Sequence, residues 1–409
     1  MDRLRNPYTP NAGAEPEVVA GRDELVSTFE VLRARLSRGR TEQSMIITGL
    51  RGVGKTVVLN LFAERARESR WQVAEFEASR NDDAHFRGTL FSVLRAALLQ
   101  ISPRQRWTDR AHRAASALSS FSVSAAGLSV SWDVAVEDGL ADHGNLSMDL
   151  TDVLVTLGEV AGEAGRGIVI LVDEVQFLRK TQLEAVIQGI HKTVQRKLPI
   201  TFVGAGLPQI AELAGDAKSY AERLFTFPVI GSLDESAAHR ALAGAAEQEG
   251  VTFEHAALEL AVQITQGYPY FLQELGYQAW EVAEGESISR EDVEVAREAY
   301  DAKLDSSFFR VRLDRATALQ TAYMRAMAEL GPEPHKAGDV ARSMGRESTQ
   351  LGPTRAELIN MGLLFTPSHG YAAFTVPNFD GFLRRAIPHL EVPTTRRRGR
   401  RDDGSGTSE

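Results

Sequence analysis

The sequence predicts an α/β fold built on a five-stranded parallel sheet, and three observations carry that expectation. Five short apolar runs alternate with segments of helical periodicity. The runs are unbroken rather than alternating with polar residues, the pattern of strands buried on both faces of a sheet. A glycine-rich loop, Gly49 to Thr56, stands between the first run and the helical segment that follows it.

The elements follow in order. Residues 1–22 hold Asn6-Pro7-Tyr8 and several further Pro and Gly residues, and read as an extended arm. Asp23 to about Arg38 places Leu25, Phe29, Leu32 and Leu36 on one helical face. Within a core of residues 23–233 the apolar runs are Met45–Thr48, Val73–Phe76, Ile168–Val172, Ile200–Val203 and Phe225–Ile230. Residues of about 104–150 interrupt the rhythm. There Phe121-Ser-Val-Ser and Leu128-Ser-Val-Ser-Trp alternate around Ala125-Ala-Gly, which predicts an inserted β-hairpin. Residues 234–311 are purely helical in pattern and predict a small bundle. In residues 312–390, helices at Ala316–Leu330 and Gly338–Met344 and one ending at Arg355–Met361 precede a hairpin, Leu363–Phe365 and Tyr371–Val376. That is the order of a winged helix-turn-helix. Residues 391–409 carry Arg396–Arg398, Arg400 and Arg401 and are expected to be disordered.

Composition excludes several classes. The 409 residues are 43% hydrophobic and 25% charged, which excludes a mostly disordered chain. A net charge of −9 excludes a wholly basic nucleic-acid binder. The absence of cysteine excludes disulfides, thiolate metal sites and a cysteine nucleophile. The nine histidines show no metal-ligand spacing. Residues 1–21 hold no apolar leader and no run is long enough to span a bilayer, so a cytoplasmic protein without membrane contact is expected.

Gly49-Leu50-Arg51-Gly52-Val53-Gly54-Lys55-Thr56 matches the spacing of a phosphate-binding loop. The glycines let backbone N–H groups turn toward phosphate oxygens, and the next helix aims its positive end at the same charge. Lys55 would neutralise the β- and γ-phosphates, and the Thr56 hydroxyl would ligate Mg²⁺. Arg51 would reach phosphate or a partner, or else face solvent. The run Ile168-Val-Ile-Leu-Val ends in Asp173-Glu174. A buried strand thus delivers Asp173 to a metal and Glu174 to an attacking water.

With these two motifs in the order strand–loop–helix and strand–Asp–Glu, the chain from about residue 6 to 390 resembles the AAA+ and STAND P-loop ATPases. Within them it is similar to the bacterial origin-recognition-like group of AAA-16 type. The resemblance implies ATP and Mg²⁺ as ligands, ATP hydrolysis, a helical lid over residues 234–311 and a nucleotide-dependent homo-oligomer. It implies that Arg22, in Gly21-Arg22, and Tyr268-Pro269, in Gly267-Tyr-Pro, lie beside the nucleotide; the other readings are that Arg22 anchors the arm and that Tyr268 packs in the core of the lid. It also implies that Arg223, in Ser219-Tyr-Ala-Glu-Arg-Leu-Phe, completes a neighbour's site; the other reading is a surface arginine paired with Glu222 or Asp216. Two departures stand out. Val203-Gly-Ala-Gly206 carries no polar sensor at the tip of strand four, with Gln209 the nearest candidate to stand in for it. The lid helix lacks the usual sensor arginine. Both losses imply slow, switch-like turnover.

The C-terminal module leaves two partners open, duplex DNA or a protein. Residues 312–409 hold 14 Lys/Arg against 11 Asp/Glu, a net of +3, whereas residues 1–311 carry −12. For DNA the candidate contacts are Arg346 and Arg355 near the third helix, His369 at the hairpin tip and the Arg396–Arg401 tail. Apolar hairpin strands and Pro353 inside the third helix favour protein docking, as in a STAND-type signalling scaffold.

Overall fold

The computed structural model of the chain describes residues 1–11, 13–123, 134 and 136–393. They fall into two compact units, Met1–Ala302 and one that begins at Lys303. Among the described residues, no helix is long and apolar enough to cross a membrane.

The first unit is organised by its sheet. Helix α1 (Asp23–Ser37) leads to strand β1 (Ser44–Thr48), helix α2 (Lys55–Glu68), β2 (Gln72–Glu77) and α3 (Asp83–Ile101). After α4 (Asp109–Val123) and α5 (Leu146–Glu163) come β3 (Ile168–Asp173), α6 (Lys180–Gln195) and β4 (Ile200–Gly206). Short helices α7 (Ile210–Ala217) and α8 (Ala221–Leu224) precede β5 (Phe225–Thr226). All five strands are parallel, in the order β2-β3-β4-β1-β5. Strands β1 and β4 are buried along their whole length, whereas the edge strand β2 opens to solvent at intervals. Helices on both faces account for this, because a covered central strand has no polar side. Phe29 of α1 stacks on Phe62 of α2 with ring centroids 4.2 Å apart, which ties α1 to the helix that follows the glycine-rich loop. The chain leaves β1 for the far edge of the sheet and returns through β3 and β4. The carboxyl ends of β1, β3 and β4 therefore converge at a topological switch point, the place where open α/β sheets bind ligands.

Two expectations need correction. The fifth apolar run, Phe225–Ile230, forms a strand over only two residues. Pro228 has no N–H to give; its carbonyl accepts the Thr48 amide at 2.8 Å, and Val229 makes one isolated bridge to Thr48. The predicted hairpin also fails in its first arm, since Phe121-Ser122-Val123 closes helix α4. Ala111, Ala114, Ala115, Leu118 and Phe121 recur at helical spacing and are buried, so burial of that face outweighs the local alternation. The rest of the expected hairpin, residues 124–133, lies outside the described residues.

Helices α3 and α5 are joined by a buried ion pair. Arg87 Nη2 donates to Asp149 Oδ2 at 2.7 Å, with side-chain exposures of 6% and 0%. The second carboxylate oxygen accepts the His143 amide at 2.8 Å, and the Arg87 guanidinium lies 4.7 Å from the Phe121 ring centre.

The helical part of this unit contains α9 (Glu235–Gln248), β6 (Thr252–Phe253), α10 (His255–Thr265), α11 (Pro269–Val282), β7 (Ser287–Ile288) and α12 (Arg290–Lys303). The N-terminal arm lies on these helices. Tyr8 is buried and donates to the Leu242 carbonyl at 2.7 Å. Asn6 donates to the Tyr277 carbonyl, the terminal amine to the Ala283 carbonyl and Trp280 to the Asp2 carbonyl.

The second unit opens with a π-helical turn, Leu304–Phe309. It comprises α13 (Arg310–Leu313), α14 (Ala318–Leu330), β8 (His335–Lys336), α15 (Ala337–Ser343), α16 (Ser348–Asn360), β9 (Leu364–Phe365), β10 (Tyr371–Phe374) and α17 (Phe379–Ala386). Its strands form an antiparallel sheet in the order β8-β10-β9. Helix α16 runs through Pro353 and begins at Ser348, about two turns before Arg355. Phe309, Phe379 and Phe382 stack at centroid distances of 5.3–5.8 Å in its core. The tail residues 394–409, Arg396–Arg401 among them, lie outside the described residues.

Candidate functional site

The loop after β1 takes its shape from its glycines. Gly52 and Gly54 stand at φ of +84° and +90°, in the left-handed region that costs a residue with a side chain about 1–2 kcal/mol. Val53 between them is buried and anchors the turn. Gly54 is the residue before α2, so the loop delivers that helix's N-terminal amides into the switch point.

Lys55 is nearly buried. Its ammonium donates to the Gly49 and Leu50 carbonyls at 3.0 and 2.9 Å. Burial lowers its pKa below the ordinary amine value, the carboxylates of Glu174 and Asp173 raise it, and Arg51 lowers it again. An anionic phosphate beside it would favour the charged form. Thr56 Oγ1 donates to Asp173 Oδ2 at 2.5 Å. Strand β3 thus brings a carboxylate against the hydroxyl that opens α2, 117 residues away in sequence. Two hard oxygen donors side by side suit Mg²⁺.

Glu174 stands at φ +52°, ψ +38°, in the left-handed region. Its amide donates to Asp173 Oδ1 at 2.8 Å, and its carboxylate accepts from Gln176 Nε2. The other end of the Gln176 amide accepts the Leu207 N–H, just past β4, at 3.0 Å. Gln209, the residue expected to stand in for a sensor, has a buried amide oxygen with no hydrogen-bond partner among the described residues.

The nucleotide-side residues divide. Arg22 donates to the Val53 and Gly231 carbonyls at 3.1 and 2.8 Å, and burial lowers its pKa. It fastens the arm to the loop, the anchoring role that was one of its two expected readings. Tyr268 donates through its hydroxyl to the Arg51 carbonyl, and the Tyr270 amide donates to the Gly52 carbonyl at 3.1 Å. Pro269 begins α11 between them. The start of helix α11 therefore rests on the glycine-rich loop itself. Arg51 is half-buried, and its Nε has no hydrogen-bond partner among the described residues. Arg223 is exposed on α8, away from Lys55 in sequence and in element.

In the second unit, two of the DNA candidates have hydrogen-bond partners within the unit. Arg355 donates to the Tyr371 carbonyl at 2.6 Å and to Thr366 Oγ1 at 3.2 Å, so it clamps the hairpin to α16. Arg346 donates to the Pro393 carbonyl. Both guanidiniums are half-buried, because a carbonyl within the unit offers a fixed acceptor that a solvated arginine lacks. His369 is exposed at the hairpin tip, as expected.

Two features escaped sequence reasoning. Gln176 is one; the signal was a polar residue between apolar Val175 and Phe177, two positions after Glu174. The other is the Tyr270 amide on Gly52, a backbone contact that no side-chain pattern encodes.

Comparison with known proteins fits this geometry. Residues 18–203 match the model of the AAA ATPase domain, and residues 306–383 match a domain of unknown function, DUF8462. No curated protein matches the chain. Among solved structures, a Walker-type ATPase of Pyrococcus abyssi superposes with a TM-score of 0.55 at 15% identity, over 90% of this chain and 97% of that one. The Orc1 protein of Aeropyrum pernix, solved in complex with DNA, gives 0.46 at 18% identity over 94% and 96%. The RuvB Holliday junction branch migration motor of Thermotoga maritima gives 0.46 at 15% over 96% and 100%.

Proposed function

We propose that this chain, an ATPase by virtue of the AAA ATPase domain at residues 18–203, works as an ATP-driven molecular switch with slow turnover. The observation that carries the reading is the seating of the lid on the phosphate loop, through Tyr270 N–H to the Gly52 carbonyl and Tyr268 to the Arg51 carbonyl. A phosphate bound by the loop acts on the same backbone that holds the lid, so nucleotide state and lid position share one set of contacts. A ligand shifts such an equilibrium only through contacts that differ between the two states.

In this reading Lys55 and the loop amides hold the ATP phosphates, and Glu174 orients the attacking water and takes its proton. Thr56 and Asp173 would hold Mg²⁺, which, when bound, neutralises charge on the phosphates. Arg223, exposed ahead of β5, is the group offered to a neighbouring copy's nucleotide. The absence of a polar side chain at the tip of β4 and of an arginine at the start of α11 supports slow rather than rapid turnover.

The output of the switch is the C-terminal unit, a winged-helix module acting on duplex DNA; the net +3 charge of residues 312–409 against −12 before them supports this. A second reading, protein docking, is favoured by one observation: Arg346 and Arg355 are spent on bonds within the unit. Binding of random duplex DNA by Glu174→Gln protein, titrated with salt in ATP and in ADP, separates the two. A DNA-acting switch gives binding that falls steeply with salt and differs between the nucleotides. Absence of binding in both states at low salt assigns the unit to a protein partner.

A further inference from the structure

We infer that Gln176 is the positioning residue of the hydrolytic step, its amide fixing the Glu174 carboxylate to the backbone at the tip of β4. The inference deepens the proposed ATPase reading and rests on it. Glu174 must place one carboxylate oxygen beside a water in line with the γ-phosphate, and a misplacement of about 1 Å can cost on the order of 10²-fold in rate. Its backbone is held in a strained conformation by the Asp173 side chain. That leaves the side-chain torsions to be set, and Gln176 is the group that sets them.

The geometry has three parts. Gln176 Nε2 donates to Glu174 Oε2, leaving Oε1 for a water. Gln176 Oε1 accepts the Leu207 amide at 3.0 Å. The third part is Gly206: a Cβ there would stand 2.6 Å from Gln176 Oε1 and 2.8 Å from Val175 Cγ2. The last residue of β4 is thus shaped to admit the amide. The strand tip carries no polar side chain, yet it reaches the catalytic carboxylate through its backbone and a glutamine from the neighbouring strand's loop. Any movement of the β4–α7 loop is passed to Glu174 by this route.

The test compares steady-state ATP hydrolysis by the full chain and by Gln176→Leu, Gln176→Ala, Gly206→Ala and the Gln176→Ala/Gly206→Ala double variant. Thermal midpoints and the KM for ATP are followed alongside. Leucine keeps the volume of the side chain and removes both bonds. The expected result is a kcat about 10–100-fold lower in each Gln176 variant with KM within about twofold of the parent. Gly206→Ala should lower kcat to a similar degree, and the double variant should be no worse than the poorer single, since both act through one amide. A parent-like kcat in Gln176→Leu, an equal change in KM, or multiplying effects in the double variant would overturn the inference while leaving the ATPase reading in place. A parent without Glu174-dependent hydrolysis would overturn both.

Discussion

Glu174→Gln protein is expected to bind ATP as the parent does and to hydrolyse it about 10²–10⁴-fold more slowly, the range over which a positioned general base contributes. That corresponds to about 3–5 kcal/mol of barrier. The substitution is nearly isosteric, so the left-handed turn and its bond to Asp173 should persist. An amide, however, cannot take a proton from water. Binding should survive because the proposed phosphate contacts are those of Lys55 and the loop amides, and the carboxylate's attraction for Lys55 is only one of several influences on that ammonium. Single-turnover hydrolysis together with equilibrium nucleotide binding reads both halves. A loss below about threefold would remove Glu174 from the reaction.

The second large effect is on stability. Asp149→Ala leaves the Arg87 guanidinium buried at 6% exposure without its carboxylate and strips the His143 amide of its acceptor. Breaking a buried pair from one side costs about 3–5 kcal/mol, because the remaining charge keeps its desolvation penalty. Replacing both partners, as in Arg87→Met with Asp149→Leu, should restore most of that loss. Urea unfolding of the three proteins measures it. An Asp149→Ala loss under about 1 kcal/mol, the size seen for exposed pairs, would mean that the pair is not desolvated as its burial indicates.

Much of the fold was legible because the informative signals are local. An unbroken apolar run bounded by glycine defines a central strand whatever surrounds it, and Ile168–Asp173 is such a run. The glycine-rich loop is equally local, since its chemistry lies in eight consecutive residues. Reasoning failed where one local pattern competed with a longer one. Phe121-Ser-Val-Ser alternates like a strand, but Ala114, Leu118 and Phe121 lie on one helical face, and that face wins. It was silent where a side chain's partner lies far along the chain. Arg22 meets the Val53 carbonyl, and Arg355 meets the Tyr371 carbonyl. These acceptors are 31 and 16 residues distant, and nothing in the sequence marks them. Gln176 showed only as a polar residue between two apolar ones; its meaning depends on where Leu207 stands.

The central claim is that the nucleotide acts on the lid through the phosphate loop. Hydrogen exchange at the Tyr270 amide, which donates to the Gly52 carbonyl, tests it most directly. Glu174→Gln protein should be compared in saturating ATP–Mg²⁺ and ADP–Mg²⁺. A switch requires exchange at Tyr270 to differ between the two states by about tenfold or more, a coupling of about 1.4 kcal/mol, while amides of β3 remain unchanged. Equal exchange at Tyr270 with both nucleotides bound would contradict the account, leaving an ATPase whose lid does not report its nucleotide.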